Sequence, residues 1–381
     1  MQIMAQGWVV TRLSKAAWVL GALNVTSTFP ILALSMVGGG VADRFEKRRI
    51  LIGTQVALMG LAFAFAALVH TGSIALGHIF ALAFLAGVAT AFDLPAAQAF
   101  PPELVPRPEI PKAVALMQAI FHGSRFIGPA LAGFLVAHLG ESSAFLANGL
   151  SFLAVIATLL VIHDYPRRQG DPSQRRSGMG AGFRYVRTEP TVRALMTLTA
   201  LTTTLVFPFL VVLMLYFLRH VLRVDAQGMG IVMSASGFGS LMGAIVLLFG
   251  DLRTLRAWLY AGVCGIGLAL WGISLSHSLE TAIPLVLVLS FCVSSLMGRV
   301  SQTIQHLVPD ELRGRVMGVF GIAFVGLMPY AALLLSACTD AVGFGRTLQG
   351  TFVLYTGFGL AVLMRVPRPA AVQQPETPAT V

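Results

Sequence analysis

Four ionisable side chains lie where water is scarce. Arg125 sits near the middle of an apolar run, with His122 three residues before it, one helical turn away. Asp93 and Arg299 sit towards the ends of two other apolar runs. A charge in such a place is costly and is held there by a partner, a water-filled cavity or a charged ligand. A guanidinium at Arg125 suits an anionic ligand group; it suits a structural ion pair or backbone carbonyls equally well. Exchange of a proton needs a carboxylate or histidine tuned by burial or by a neighbour, and Asp93 and His122 are the candidates. Asp93 and Arg299 could instead reach the nearby interface. A sharper expectation pairs Asp93 with Lys47 or Arg48 as a latch. The apolar runs hold no HExxH, no serine motif and no acid pair, and the three cysteines (Cys264, Cys292, Cys338) show no metal or redox spacing. No enzyme, no metal and no cofactor is expected.

The elements that must position these residues follow from composition. Of 381 residues 56% are hydrophobic and 11% charged, against about 25% charged in a soluble domain. Apolar runs of about 20 residues, enough to cross a hydrocarbon layer of about 30 Å, recur from end to end. They fall near 17–41, 50–70, 73–97, 112–137, 144–163, 194–218, 227–250, 257–277, 281–305, 315–337 and 347–366. The chain reads as an all-α membrane protein with about eleven full spans. Met1–Leu13 adds a further half-span and lacks the basic start and cleavage site of a signal peptide. The net charge of +10 reflects loops between spans and gives no reason to expect nucleic acid.

Loop charges set an orientation. Nineteen Lys/Arg lie on the side of Arg44, and five (Arg12, Lys15, Arg219, Arg223, Arg346) on the other. The Arg44 side and the C-terminus are therefore expected to be cytoplasmic. The polar stretch 164–193 divides the chain into bundles at 1–163 and 194–366, with a tail at 367–381. The halves echo each other: Leu104-Val105-Pro106 recurs 203 residues later as Leu307-Val308-Pro309, and Asp43…Arg48 recurs as Asp251…Arg256. Paired repeats joined by a polar linker suit a duplicated bundle.

Between the first two full spans runs Gly39-Gly40-Val-Ala-Asp43-Arg44-Phe-Glu46-Lys47-Arg48-Arg49. It resembles the loop signature G-x-x-x-D-R-x-G-R-R of the major facilitator superfamily, with Glu46 in place of the second glycine. Further along, Asp93-Leu-Pro-Ala-Ala-Gln98 leads to Leu104-Val105-Pro106, and Leu307-Val-Pro-Asp-Glu-Leu-Arg-Gly-Arg315 matches it in the second half. Together these resemble the branch that contains the enterobactin exporter, over about residues 1–366. Gly128-Pro129-Ala-Leu-Ala-Gly133 resembles the fifth-helix motif of drug/proton antiporters, though helix packing alone would also explain it. Gly237-Phe-Gly239-Ser-Leu-Met-Gly243 lies inside an apolar span and is assigned to packing.

The resemblance implies the major facilitator fold of two six-helix bundles, here with the first helix incomplete. It implies alternating access and export of a small amphiphilic molecule, drug-like or siderophore-like, often by proton antiport. The loop residues Gly39, Asp43, Arg44, Lys47 and Arg48 would gate, while Asp93, His122, Arg125 and Arg299 would serve pathway or coupling. The expected setting is the bacterial inner membrane, multi-pass and monomeric, with a small-molecule substrate, protons and membrane lipids as partners. A lysophospholipid flippase of the same superfamily, and a non-transporting sensor or remnant, stand as alternatives. Family members carry a full first helix after a cytoplasmic tail, so a start at an internal Met is the simplest expectation, with a real eleven-span protein as the alternative.

Overall fold

The computed structural model describes residues 1–162, 180–249 and 255–364. Most of the 164–193 linker, the 367–381 tail and Asp251 fall outside the described residues. Thirteen helical elements are described: α1 Gln2–Leu13, α2 Ala17–Arg44, α3 Lys47–His70, α4 Leu76–Ala99, α5 Ile110–Leu139, α6 Glu141–Val161, α7 Gly180–Thr188, α8 Pro190–Val221, α9 Ala226–Ile245, α10 Leu255–Ser274, α11 Leu279–Leu307, α12 and α13 Phe344–Met364. Helix α12 runs from Asp310–Gly321 through a π-helical turn at Ile322–Gly326 to Met328–Val342.

Ten of these are long and apolar enough to cross a membrane. The 30-residue α5 accounts for the eleventh apolar run of the sequence. Their lipid-facing surface is apolar: Leu153, Leu160, Leu334 and Phe358 are all exposed. In hydrocarbon, a helix satisfies its own backbone, which is why the runs become helices whatever their β-branched content. The chain is thus a multi-pass helical membrane protein.

Local signals set the boundaries. Asp225 caps α9 by accepting from the Gly228 amide at 2.8 Å, and Ser278 caps α11 through the Thr281 amide. The connectors α5–α6 and α12–α13 each shrink to a single glycine, Gly140 (φ 86°, ψ 166°) and Gly343 (φ 90°, ψ 153°). Only glycine occupies that region without strain. The two stand 203 residues apart, the same offset as the Leu-Val-Pro echo.

Packing repeats in the same way. In the first half α4 packs on α2 and α3, and α6 on α3; in the second, α11 packs on α9 and α10, and α13 on α10. Two large seams join the halves, α5 on α9 and α2 on the second part of α12. Each pairs the same two repeat positions with the halves exchanged.

The signature around Gly39 is built differently from a loop. Helix α2 continues to Arg44, so only Phe45 and Glu46 separate it from α3. Gly39 and Gly40 are therefore helical and face open space, whereas Gly38 lies against the Ala91 carbonyl of α4. The close helix approach in this stretch is therefore made by Gly38 and not by Gly39 or Gly40.

Candidate functional site

The arginine-rich end of the first half is tied by the bases of the Gly39–Arg49 stretch. Lys47 Nζ meets Glu103 Oε1 at 2.7 Å, and both side chains are largely covered. Arg48 donates from Nε to the Leu159 carbonyl and from Nη2 to the Leu160 carbonyl at 3.0 Å, near the C-terminal end of α6. A cation there meets carbonyls that have no intrahelical partner. Arg49 pairs with Glu46 at 2.8 Å, and Arg44 is exposed. The Asp43 side chain lies outside the described residues.

Asp93 is not paired with Lys47 or Arg48. Its Oδ1 accepts from Thr54 Oγ1 at 2.6 Å and from Gln55 Nε2 at 2.9 Å. The two-residue connector places Lys47 at the first turn of α3, beside Glu103, about two turns before the Thr54–Gln55 level that Asp93 faces. Arg299 occupies the corresponding helix of the second half. It is buried at 2% exposure, so it does not reach an interface, and its guanidinium carbon lies 5.4 Å from the Trp258 ring centroid. Asp93 and Arg299 are 206 residues apart, three more than the Leu-Val-Pro echo, so the acid and the base lie on corresponding helices about one turn out of register.

Between the halves lies a cavity of about 400 Å³. Arg125 and Ser124 of α5 line it, facing Met4 of α1, Met214 of α8, and Met233 and Ser236 of α9. Arg125 is exposed there, although it sits midway along its helix. Methionines give such a wall an adaptable, polarisable surface. A smaller neighbouring cavity of about 240 Å³, which shares Ile3 and Val211 with the first, is lined by Gln6, Asn24, Ser27 and Thr28. Asn148 of α6 donates to Gln2 Oε1 at 2.7 Å, tying α1 to the first half. The His122 side chain lies outside the described residues.

Pro129 and Gly133 stand on the α5 face that meets α9, whereas a Cβ on Gly128 would lie 3.2 Å from the Met1 nitrogen before α1. A Cβ built on Gly133 would lie 2.6 Å from the Ala226 carbonyl oxygen and 2.9 Å from Gly230 Cα. A Cβ on Gly230 would in turn meet the Pro129 carbonyl at 2.7 Å. Pro129 cannot bond the Arg125 carbonyl four residues back, and that carbonyl faces Gly237. The three glycines of Gly237-Phe-Gly239-Ser-Leu-Met-Gly243 contact α5 or α11 backbone, which fits packing and no dinucleotide loop.

At the arginine-poor end the halves touch through residues that motif reasoning passed over. Asp340 of α12 accepts from the Ala17 and Trp18 amides of α2, each at 2.8 Å. Trp8 donates to Glu141 at 3.0 Å while the Arg219 guanidinium lies 4.2 Å over its ring, and Arg12 pairs with Glu141 at 3.1 Å. The signal available in the sequence was an aspartate in the last turn of a helix, where the dipole disfavours it.

At α7, Tyr185 donates to the Leu307 carbonyl at 3.2 Å. Burial, and then Glu189, raise the Tyr185 pKa above the usual tyrosine value, so its hydroxyl remains a donor.

A sequence model of a family described as transmembrane secretion effector matches residues 1–379. The chain is 28% identical over 381 residues to the multidrug efflux pump Tap of Mycobacterium tuberculosis, across 96% of this chain and 89% of that protein. It is 25% identical over 363 residues to the staphyloferrin A transporter of Staphylococcus aureus, across 91% of this chain and 87% of that protein. Among solved structures, it superposes with a TM-score of 0.71 on a bacterial homologue of the human lysosomal transporter Spinster, inward-facing and occupied, at 14% identity over 96% of this chain and 91% of that one. It also superposes with a TM-score of 0.69 on the inward-open xylose transporter XylE of E. coli, at 13% identity over 96% and 90% of the two chains.

Proposed function

Because this chain belongs to the transmembrane secretion effector family of major facilitator transporters, we propose that it is an exporter of small amphiphilic molecules carrying an anionic group. It works by alternating access, with the body 1–163 rocking against the body 194–366 about the linker 164–193. The arginine-rich end faces the cytoplasm of a bacterial cell, and the protein acts as a monomer in the inner membrane with protons as the counter-substrate. The observation that carries this reading is Arg125, a cation midway along α5 that lines a cavity of about 400 Å³ between the halves. In a low-dielectric wall, a guanidinium favours a carboxylate, sulfonate or phosphate on the substrate. The methionines opposite accept apolar bodies of varied shape. The functions for which the relatives are named, multidrug efflux and staphyloferrin A transport, agree with such cargo.

The test is an efflux assay in cells expressing the full chain, with one anionic and one neutral fluorescent dye. Arg125→Ala is expected to slow efflux of the anionic dye by about tenfold, the scale of one charge-assisted bond, while efflux of the neutral dye changes little. Arg125→Lys, which keeps the charge, is expected to retain part of the rate. Efflux of the anionic dye at the wild-type rate in Arg125→Ala would remove Arg125 from recognition.

A further inference from the structure

The two seams between the halves are alike in position but not in how their helix starts are capped. In one, α9 opens with Asp225, a residue of its own chain segment, which accepts from Gly228. In the other, the N-cap of α2 is Ala16, whose side chain caps nothing. The missing cap comes from the opposite half: the two carboxylate oxygens of Asp340 take the Ala17 and Trp18 amides, each at 2.8 Å. Those amides are among the first four of the helix, which have no intrahelical acceptor. Asp340 stands two residues before the end of α12 at Val342. An anion there is set against the dipole of its own helix and is compensated by the start of α2. Just inside this contact, a Cβ on Gly21 would lie 2.8 Å from Leu333 Cα, so the helices are in close contact.

We propose that Asp340 is the latch that holds the arginine-poor end shut. A cap within one half survives any motion between the halves, as at Asp225. A cap that crosses the seam is lost when the halves part at that end, so its bonds count only in the closed state. The latch rests on the alternating-access mechanism proposed above and assigns a residue to one of its gates. The cation–π contact of Arg219 with Trp8 crosses between the halves at the same end.

The test uses the full chain in nanodiscs, with Cys264, Cys292 and Cys338 replaced by alanine. Spin-label pairs report each end by pulsed EPR: Leu139 with Val342 for the arginine-poor end, and Phe45 with Leu307 for the arginine-rich end. Asp340→Asn keeps the side-chain shape and removes the charge and one acceptor. Ala17→Pro removes one donor at the first helical position, which accepts proline. Each is expected to raise the long-distance population of the Leu139–Val342 pair by about three- to tenfold. The double variant is expected to go no further than the larger single one, because both break the same contact. Exchange of the two ends in the wild type with unchanged populations in Asp340→Asn and Ala17→Pro would overturn the latch alone. Ends that never exchange in the wild type, with substrate or without, would overturn alternating access and the latch with it.

Discussion

At the scale of single residues, the clearest energetic statement concerns Lys47 and Glu103. Their side chains are only 14% and 9% exposed and meet at 2.7 Å. Removing one partner strands the other away from water, which costs more than the pair contributes when intact. Lys47→Ala is therefore expected to lower stability by about 1–3 kcal/mol, seen as a reduced melting temperature in detergent. Lys47→Met combined with Glu103→Gln should recover most of that loss. Equal melting for Lys47→Ala and the wild type would mean that Glu103 finds another donor. The same pair explains why Asp93 takes neutral partners: Lys47, one of the two bases expected to meet it, is held by Glu103, and Arg48, the other, by carbonyls of α6.

At the scale of elements, the duplication is visible in turns as much as in helices. Gly140 and Gly343 both adopt backbone angles that only glycine tolerates, and each is the whole connector between two antiparallel spans. Gly140→Ala and Gly343→Ala are each expected to cost about 1–3 kcal/mol, measured by thermal or denaturant unfolding in detergent, with similar values at the two sites. A neutral substitution at either would show that its connector can relax by lengthening at the expense of a helix turn. The α5–α9 seam relies on a different property of glycine, the missing Cβ at Gly133 and Gly230, which lets backbone touch backbone without a hydrophobic driving force.

At the scale of the whole molecule, the proposed antiport predicts that efflux stops when the proton gradient is collapsed by an uncoupler. In everted membrane vesicles the same dye should accumulate on acidification of the lumen. Efflux that continues at full rate without a gradient would remove protons from the cycle. The span pattern, the all-α architecture and the duplication were legible in the sequence alone, because hydrocarbon leaves the backbone one solution and because apolar length and the Leu-Val-Pro and Asp…Arg echoes are local properties. The placement of Arg125 on a span was equally legible, since charge in an apolar run needs no partner to be noticed. What only the tertiary structure decided was which groups meet across distance. Lys47 chose Glu103, Asp93 chose Thr54 and Gln55, Arg299 went under Trp258, and Asp340 reached the start of α2, 322 residues away. Such pairings depend on the rotation of each helix about its axis and on the two-residue length of a connector. A hydropathy pattern constrains the first weakly and the second hardly at all, because one turn more or less leaves the apolar run intact and moves every polar group to a new neighbour.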